Sequence, residues 1–255
     1  RIAFAGNPNS GKTTMYNALT GQNEKVGNWA GVTVDTKEAP IKKIYTGGQD
    51  LLAIDLPGAY SMSPFTSEES ITSTYVQNEQ IDAIINIVDA TNLSRSLFFT
   101  TQLLELGIPV VIALNKTDIN AKKHTRIDID LLSEKLGCPV VETVSTHGEG
   151  LQELVDAAVK QQGAEQTAPY RQEYADLTNQ KTAEAADRKR YAFVNRIVSK
   201  VEHRKIRTKD RNSQDGVDAV LTNPLTGIVI FAAVMFLVFQ ISQAWVGPLI
   251  ADGYE

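Results

Sequence analysis

A single cysteine, Cys138, stands in a chain of 255 residues. An intrachain disulfide is therefore excluded, and such sparing use fits a reducing compartment. Cys138 opens an apolar strand pattern, so a buried structural thiol is expected rather than a reactive one. Histidine is nearly as scarce. His124, His147 and His203 are scattered and lack the spacing of a metal-ligand set. Excess positive charge is also missing: the formal net charge is −5, which speaks against a nucleic-acid partner. No secretory signal is read at the start. The chain opens directly on a strand pattern, from which a short preceding piece is expected. One long stretch, Ala219 to Ala251, lacks charge of either sign. The length is enough to bury a full core and one extra module.

What is present begins with Gly6-Asn7-Pro8-Asn9-Ser10-Gly11-Lys12-Thr13, a complete phosphate-binding loop. It follows the apolar run Ile2–Ala5 and precedes a helical pattern, the context this motif requires. Glycines let backbone N–H groups converge on phosphate oxygens, and the following helix adds its positive end. Lys12 is expected to reach the β- and γ-phosphates, and the Thr13 hydroxyl to ligate Mg²⁺. Thr14 completes the nucleotide-binding run.

A base-reading signature lies downstream. The buried-strand run Val110–Leu114 ends in Asn115-Lys116-Thr117-Asp118. The Asp118 carboxylate can accept from N1–H and the 2-amino group of guanine; adenine lacks that donor pair and would leave the charge unpaired. Asn115 is expected at the base edge and against the phosphate loop, with the Lys116 stem along the ring. After the strand Pro139–Glu142, Ser145-Thr146-His147-Gly148 is expected to cradle the guanine O6. The ligand read from these residues is GTP or GDP.

Between these motifs lie two switch candidates. Asp55-Leu56-Pro57-Gly58 follows the strand Leu51–Ile54; Asp55 would hold a Mg²⁺-bound water, and the Gly58 N–H would sense the γ-phosphate. Upstream, Thr33 is the candidate for a second Mg²⁺ hydroxyl, in a polar loop from about Glu24 to Asp35. Segments of this kind order and disorder with the γ-phosphate. Ala59 occupies the place where Ras-like GTPases carry the glutamine that aims water, and alanine cannot do so. Asn9 offers a substitute: its side-chain oxygen could ligate K⁺ beside the phosphates. It could equally brace the loop by hydrogen bonds.

The order of elements predicts an α/β fold, a Ras-like P-loop GTPase domain over residues 1–162. Ile41–Tyr45 and Asp50–Ile54, joined by Thr46-Gly47-Gly48-Gln49, read as the one hairpin in a parallel sheet. Residues 163–215 read as a small all-α domain packed on it. About half of the Lys and Arg fall in residues 171–215, and Tyr191, Val194, Val198 and Val201 recur at helical spacing. The basic run reads largely as a solvated face. Residues 216–255 hold a hydrophobic helix. Leu225–Val246 is long enough for the ~30 Å hydrocarbon layer, which predicts a transmembrane helix and a lipid membrane as partner. Arg204, Lys205, Arg207, Lys209 and Arg211 precede it and only Asp252 and Glu255 follow, so the positive-inside rule keeps the nucleotide site in the cytoplasm.

The motifs with Val26-Gly27-Asn28-Trp29-Ala30-Gly31-Val32-Thr33-Val34 and Asp55-Leu56-Pro57-Gly58-Ala59-Tyr60-Ser61 resemble the G domain of the FeoB ferrous-iron transporters. Asp89-Ala90-Thr91-Asn92-Leu93 and Gln102–Pro109 resemble that family too. It usually has Pro at the position of Ala30 and often Met at that of Lys116. The resemblance implies the GTPase part of an iron transporter; from Ala59 and Asn9 its hydrolysis is expected to be slow and K⁺-stimulated, with Asn9, Lys12, Thr33 and Gly58 as the catalytic group. It also implies a helical region coupling to the membrane part, ferrous iron carried by membrane helices beyond Glu255, and a place in the bacterial inner membrane. Small accessory iron-transport proteins and a homo-oligomer are partners it leaves room for. One membrane helix makes an anchor and not a pore, so a longer transporter is expected. A membrane-tethered regulatory GTPase without transport stays open. A ribosome-associated GTPase would need an RNA-binding module, and residues 165–215 hold no Gly-x-x-Gly clamp.

Overall fold

A computed structural model describes residues 1–21, 25–27, 36–61, 80–172, 180–204 and 224–241. The chain divides into two compact units, Arg1–Lys205 and Ile206–Glu255. The first is built on a seven-stranded sheet. Its strands are β1 (Ile2–Gly6), β2 (Lys25–Gly27), β3 (Thr36–Pro40), β4 (Leu52–Asp55), β5 (Ala83–Asp89), β6 (Val110–Asn115) and β8 (Val140–Thr143), in the order β2-β3-β4-β1-β5-β6-β8. From β4 to β8 the pairing is parallel; β2–β3 and β3–β4 are antiparallel.

Strand alternation decides which residues build each core. Ile84 and Val88 of β5, with Val110, Ile112 and Leu114 of β6, face one side; Ile85, Ile87, Val111 and Ala113 face the other. The first face is covered by α3 (Leu93–Leu104), α5 (Ile129–Leu136) and α7 (Gln180–Val201). The second is covered by α1 (Lys12–Thr20) and α6 (Leu151–Lys160). Phe4 and Tyr16 meet edge to face at 5.9 Å, tying β1 to the helix that follows the phosphate loop. Each such side chain contributes about 1.5–3 kcal/mol by burial. Asn86 is wholly buried in mid-strand and fully used: it donates to the Ala5 carbonyl at 3.3 Å and accepts from Thr100 Oγ1 at 2.6 Å.

The antiparallel pair lies elsewhere than the sequence suggests. The partner of β4 is β3, and Lys43–Thr46 forms a short helix, α2, where a strand was expected. Gly47, at φ 58°, closes it. Lys25–Gly27, expected in a loop, is the edge strand β2. A further ribbon joins β7 (Thr125–Ile127) to β9 (Glu202–Arg204). It follows α4 (Thr117–Lys122) at one end and α7 at the other.

The helix expected in the basic region is α7. Val194, Ile197, Val198 and Val201 lie in the core of the first sheet face. Arg190, expected on a solvated face, is 4% exposed. Its guanidinium donates to Glu105 Oε2 at 2.6 Å and to Thr101 Oγ1 at 3.2 Å, and lies 4.7 Å from the Tyr170 ring centroid. A buried charge needs such partners. Cys138 is buried as expected, and burial pushes its thiol pKa up to about 12.

The second unit contains α8 (Pro224–Ile241). Its Ile228, Phe231, Phe236 and Phe239 are all exposed. Among the described residues no helix is long and apolar enough to cross a membrane. The 18 residues of α8 measure about 27 Å at the helical rise. The expected span ran on to Val246, and residues 242–255 lie outside the described residues.

Candidate functional site

The expected site residues come from the carboxyl ends of four of the five parallel strands. Gly6 ends β1, Asp55 ends β4, Asn115 ends β6, and Ser145 follows β8. Open α/β sheets bind ligands at this edge, because helix N-termini and turning loops gather there.

The phosphate loop turns between β1 and α1. Ser10 N–H donates to the Asn7 carbonyl at 3.1 Å, and Met15 N–H to the Gly11 carbonyl at 2.9 Å starts the helix. Gly11 has φ 97°, and a Cβ there would lie 2.3 Å from Asn115 Nδ2, so only glycine fits. Thr13 and Thr14 are exposed on the first turn of α1. The Lys12 ammonium donates to Asp55 Oδ1, and both side chains are about nine-tenths buried.

The loop after β4 lies directly against the phosphate loop. Leu56 N–H donates to the Phe4 carbonyl at 3.1 Å, and Ala59 N–H to the Gly6 carbonyl at 3.2 Å. A Cβ at Gly58 would lie 3.4 Å from Pro8 Cγ. Ala59 is 1% exposed and belongs to the core with Leu56 and Leu97. Its side chain is therefore part of the core, a fact its sequence position does not disclose.

Asn115 joins two loops. Its Nδ2 donates to the Ser10 carbonyl at 2.9 Å and to Ser145 Oγ at 3.1 Å, and its Oδ1 accepts from Ser145 N–H at 3.1 Å. Lys116 does more than offer an aliphatic stem: its ammonium donates to the Asn9 carbonyl at 2.6 Å and to Asp89 Oδ2 at 2.7 Å. Asp89 also accepts from Thr91 N–H at 2.9 Å, capping the turn before α3. Asp118, in the first turn of α4, is half-buried, and its carboxylate makes no bond to another described residue. Thr146 is exposed, its Oγ1 3.1 Å from His147 Nδ1.

Sequence reasoning missed the Lys116–Asp89 pair and the second bond of Asn7, which donates to the Arg95 carbonyl at 3.5 Å. The fragment Asp89-Ala90-Thr91-Asn92 was the only local signal for either. Thr33 and the rest of residues 28–35 lie outside the described residues. No cluster of described His, Cys, Asp or Glu residues could hold a metal. A cavity of about 1030 Å³ beside the β7–β9 ribbon, lined by Asn120, His124, Arg126, Asp128, Glu142 and His203, includes none of the expected nucleotide residues.

Residues 1–158 match the family model described as ferrous iron transport protein B. The Fe(2+) transporter FeoB of Salmonella typhimurium is 50% identical over 157 residues, 60% of this chain and 20% of that protein. The figures are the same for the Escherichia coli K12 transporter. The chain thus spans about a fifth of the length of these relatives. Among solved structures, an S. thermophilus NFeoB mutant bound to GDP is 34% identical with a TM-score of 0.67, covering 79% of this chain and 99% of that one. The cytosolic domain of T. maritima FeoB in its GMPPNP form is 26% identical with a TM-score of 0.70, covering 79% and 98%. A GTPase-type α/β fold follows.

Proposed function

The chain belongs to the ferrous iron transport protein B (FeoB) family, and from that premise we propose that it is the GTP-binding and GTP-hydrolysing cytoplasmic part of a bacterial ferrous-iron uptake transporter. Nucleotide state in this part regulates Fe²⁺ passage across the inner membrane. The observation that carries the reading is the Asn115 amide, bonded at once to the phosphate loop and to Ser145. It makes one continuous rim from phosphate to base. Asp118 keeps its carboxylate available for the two guanine donors, and Thr146 flanks the O6 side.

Mg²⁺ fits the residues at the phosphate end. Thr13 is exposed on the first turn of α1, and the Asp55 carboxylate is bonded to its neighbour Lys12; hydroxyl and carboxylate are hard oxygens of the kind Mg²⁺ takes with phosphates and water. Thr33 is the proposed third oxygen. Mg²⁺ would neutralise charge that develops between the β- and γ-phosphates. Lys12 binds the phosphates by exchanging its Asp55 partner for them. Gly58 offers its backbone N–H to the γ-phosphate.

Hydrolysis is proposed to be slow and K⁺-stimulated, since Ala59 supplies no group to aim water. Asn9 is exposed, at φ 64°, and its side-chain amide bonds to no described residue, which supports a cation ligand over a brace. Residues 163–215 would couple nucleotide state to the membrane part, and residues 216–255 would supply the first membrane helix. Exposure of apolar residues all round α8 supports lipid as its surroundings. Basic residues on its N-terminal side support a cytoplasmic nucleotide site. Iron itself would travel through helices beyond Glu255.

Titrating GDP, ATP and XDP onto the wild type and Asp118→Asn tests the guanine reading. The wild type should take GDP and refuse ATP, and the variant should weaken for GDP and gain XDP. Equal binding of ATP and GDP by the wild type would end it.

A further inference from the structure

The loop after β4 is bonded to β1 as far as Ala59. Tyr60 is the next residue, and its hold comes from another element. The Arg95 guanidinium lies 4.0 Å from the centroid of the Tyr60 ring, well within cation–π range. Arg95 belongs to the first turn of α3, and its carbonyl accepts from Asn7 Nδ2 of the phosphate loop at 3.5 Å.

The same turn is tied to α7. Ser94 Oγ donates to Asn195 Oδ1 at 3.0 Å. Phe98 stacks on Tyr191, ring centroids 4.3 Å apart and planes inclined by 22°. Burial raises the Tyr191 phenol pKa, and the Arg95 charge pulls against that rise. The turn that carries Arg95 therefore meets Tyr60 on one side and α7 on the other, and the Tyr60 and Tyr191 rings are both partly open to solvent.

We propose that Arg95 is a positioning residue for GTP hydrolysis: it holds Tyr60, and with it the chain leaving Gly58, and the turn that carries it is fastened to α7 through Ser94 and Phe98, so that α7 registers the state of the γ-phosphate loop. The proposal rests on the GTPase reading and deepens it. Tyr60 stands two residues from the Gly58 N–H, so a Gly58 drawn to the γ-phosphate displaces the Tyr60 ring. Cation–π attraction fades beyond about 6 Å, so a displaced ring releases the guanidinium. A planar guanidinium can lie flat on the Tyr60 ring; an ammonium is a point charge and cannot. Ring held and ring released are then the two states of one element, with one end at the nucleotide and the other on α7 through Ser94 and Phe98.

The test uses the full chain in detergent or lipid nanodiscs, with tyrosines carrying a ¹³C label at Cζ. Steady-state hydrolysis is measured for the wild type, Arg95→Ala, Arg95→Lys, Tyr60→Leu and Tyr60→Phe. The expected result is a kcat lowered about tenfold in Arg95→Ala and Tyr60→Leu, with KM for GTP within about twofold. Tyr60→Phe, which keeps the ring face, should restore kcat, and Arg95→Lys should fall between. The Tyr191 signal should move between GDP and a non-hydrolysable GTP analogue in the wild type, and stay still in Arg95→Ala. A Tyr191 shift as large in Arg95→Ala as in the wild type overturns the proposal, as does unchanged kcat in Tyr60→Leu. A wild type that takes up no GDP in a parallel titration overturns the GTPase reading itself, which is a separate and recognisable outcome.

Discussion

Asn9 and Lys116 are both left-handed, at φ 64° and 65°, and one hydrogen bond of 2.6 Å runs from the Lys116 ammonium to the Asn9 carbonyl. Non-glycine residues in that region cost of order 1 kcal/mol each and persist where the surroundings over-determine them. Here the surroundings are the phosphate loop and the base-reading turn. Each holds the other in a conformation its residues would not choose alone. The two ends of the nucleotide site are therefore one mechanical piece, which Asn115 reinforces.

Asn115→Ala should damage both ends together. Three hydrogen bonds disappear, and the buried Ser10 carbonyl and Ser145 N–H lose partners. Loss of about 2–4 kcal/mol is expected in urea unfolding, with GDP dissociation faster by about a hundredfold. Stopped-flow release of a fluorescent GDP reads the second effect. Asn115→Asp should be as harmful, because a carboxylate cannot donate to the Ser10 carbonyl.

Lys12→Ala should cost stability as well as phosphate affinity. Its ammonium is the partner of a nearly buried Asp55 carboxylate, so truncation strands that charge. Removing one partner of such a pair costs about 3–5 kcal/mol. Thermal melts without nucleotide should show a lower Tm for Lys12→Ala, largely recovered in Lys12→Ala/Asp55→Asn. Neither variant should gain Tm from GTP·Mg²⁺. Equal apo Tm values in wild type and Lys12→Ala would mean that the pair contributes nothing to the fold.

Ala59→Gln should lower stability and leave the hydrolysis rate low. Ala59 is 1% exposed and belongs to the apolar core, where a larger polar side chain must displace its neighbours. Overpacking and an unsatisfied amide together cost about 2–4 kcal/mol. Paired measurements of kcat and of the urea midpoint check this. A faster enzyme with an unchanged midpoint would show that the loop turns the side chain toward the nucleotide.

GTP hydrolysis should run faster in KCl than in NaCl at equal ionic strength, and Asn9→Ala should abolish the difference with little change in GDP affinity. Equal wild-type rates in the two salts would return Asn9 to a structural role.

Cys138 should resist thiol reagents until the protein unfolds. Its pKa is raised in the folded state, so the protonated thiol is favoured there. The stability it contributes is whole below the unfolded pKa and is lost as pH rises from there toward about 12. Cys138→Ser should therefore flatten alkaline unfolding in that window, as followed by circular dichroism against pH.

Local patterns carry much of this molecule. Alternation in β5 and β6 marks both faces of the sheet, and the phosphate loop is legible from its eight residues and their flanks. The errors share one physical cause: partners far apart in sequence. Thr36–Pro40 holds a lysine, a glutamate and a proline, a poor strand by composition, and becomes one because β4 supplies its hydrogen bonds. The run Ile41–Tyr45 looks better as a strand, but from Lys43 it forms α2, which a left-handed Gly47 closes. Arg190 sits in a basic run whose average character is solvated, yet Glu105, 85 residues earlier, draws it inside. Nor does the residue name Ala59 tell which way its Cβ points; the bond from its N–H to Gly6 decides that.

The β7–β9 ribbon has a consequence for force. Arg204 pairs with Thr125, His203 with Arg126 and Glu202 with Ile127. Tension entering the chain from Lys205 arrives first at the Arg204–Thr125 pair. Antiparallel strands loaded at one end open like a zipper, one rung at a time, at far lower load than strands sheared along their length. Thr125 lies three positions beyond Lys122, the last residue of the helix that carries Asp118. The ribbon is thus a weak link between the chain that follows it and the helix that carries Asp118, and under a steady pull it should yield before the seven-stranded sheet does.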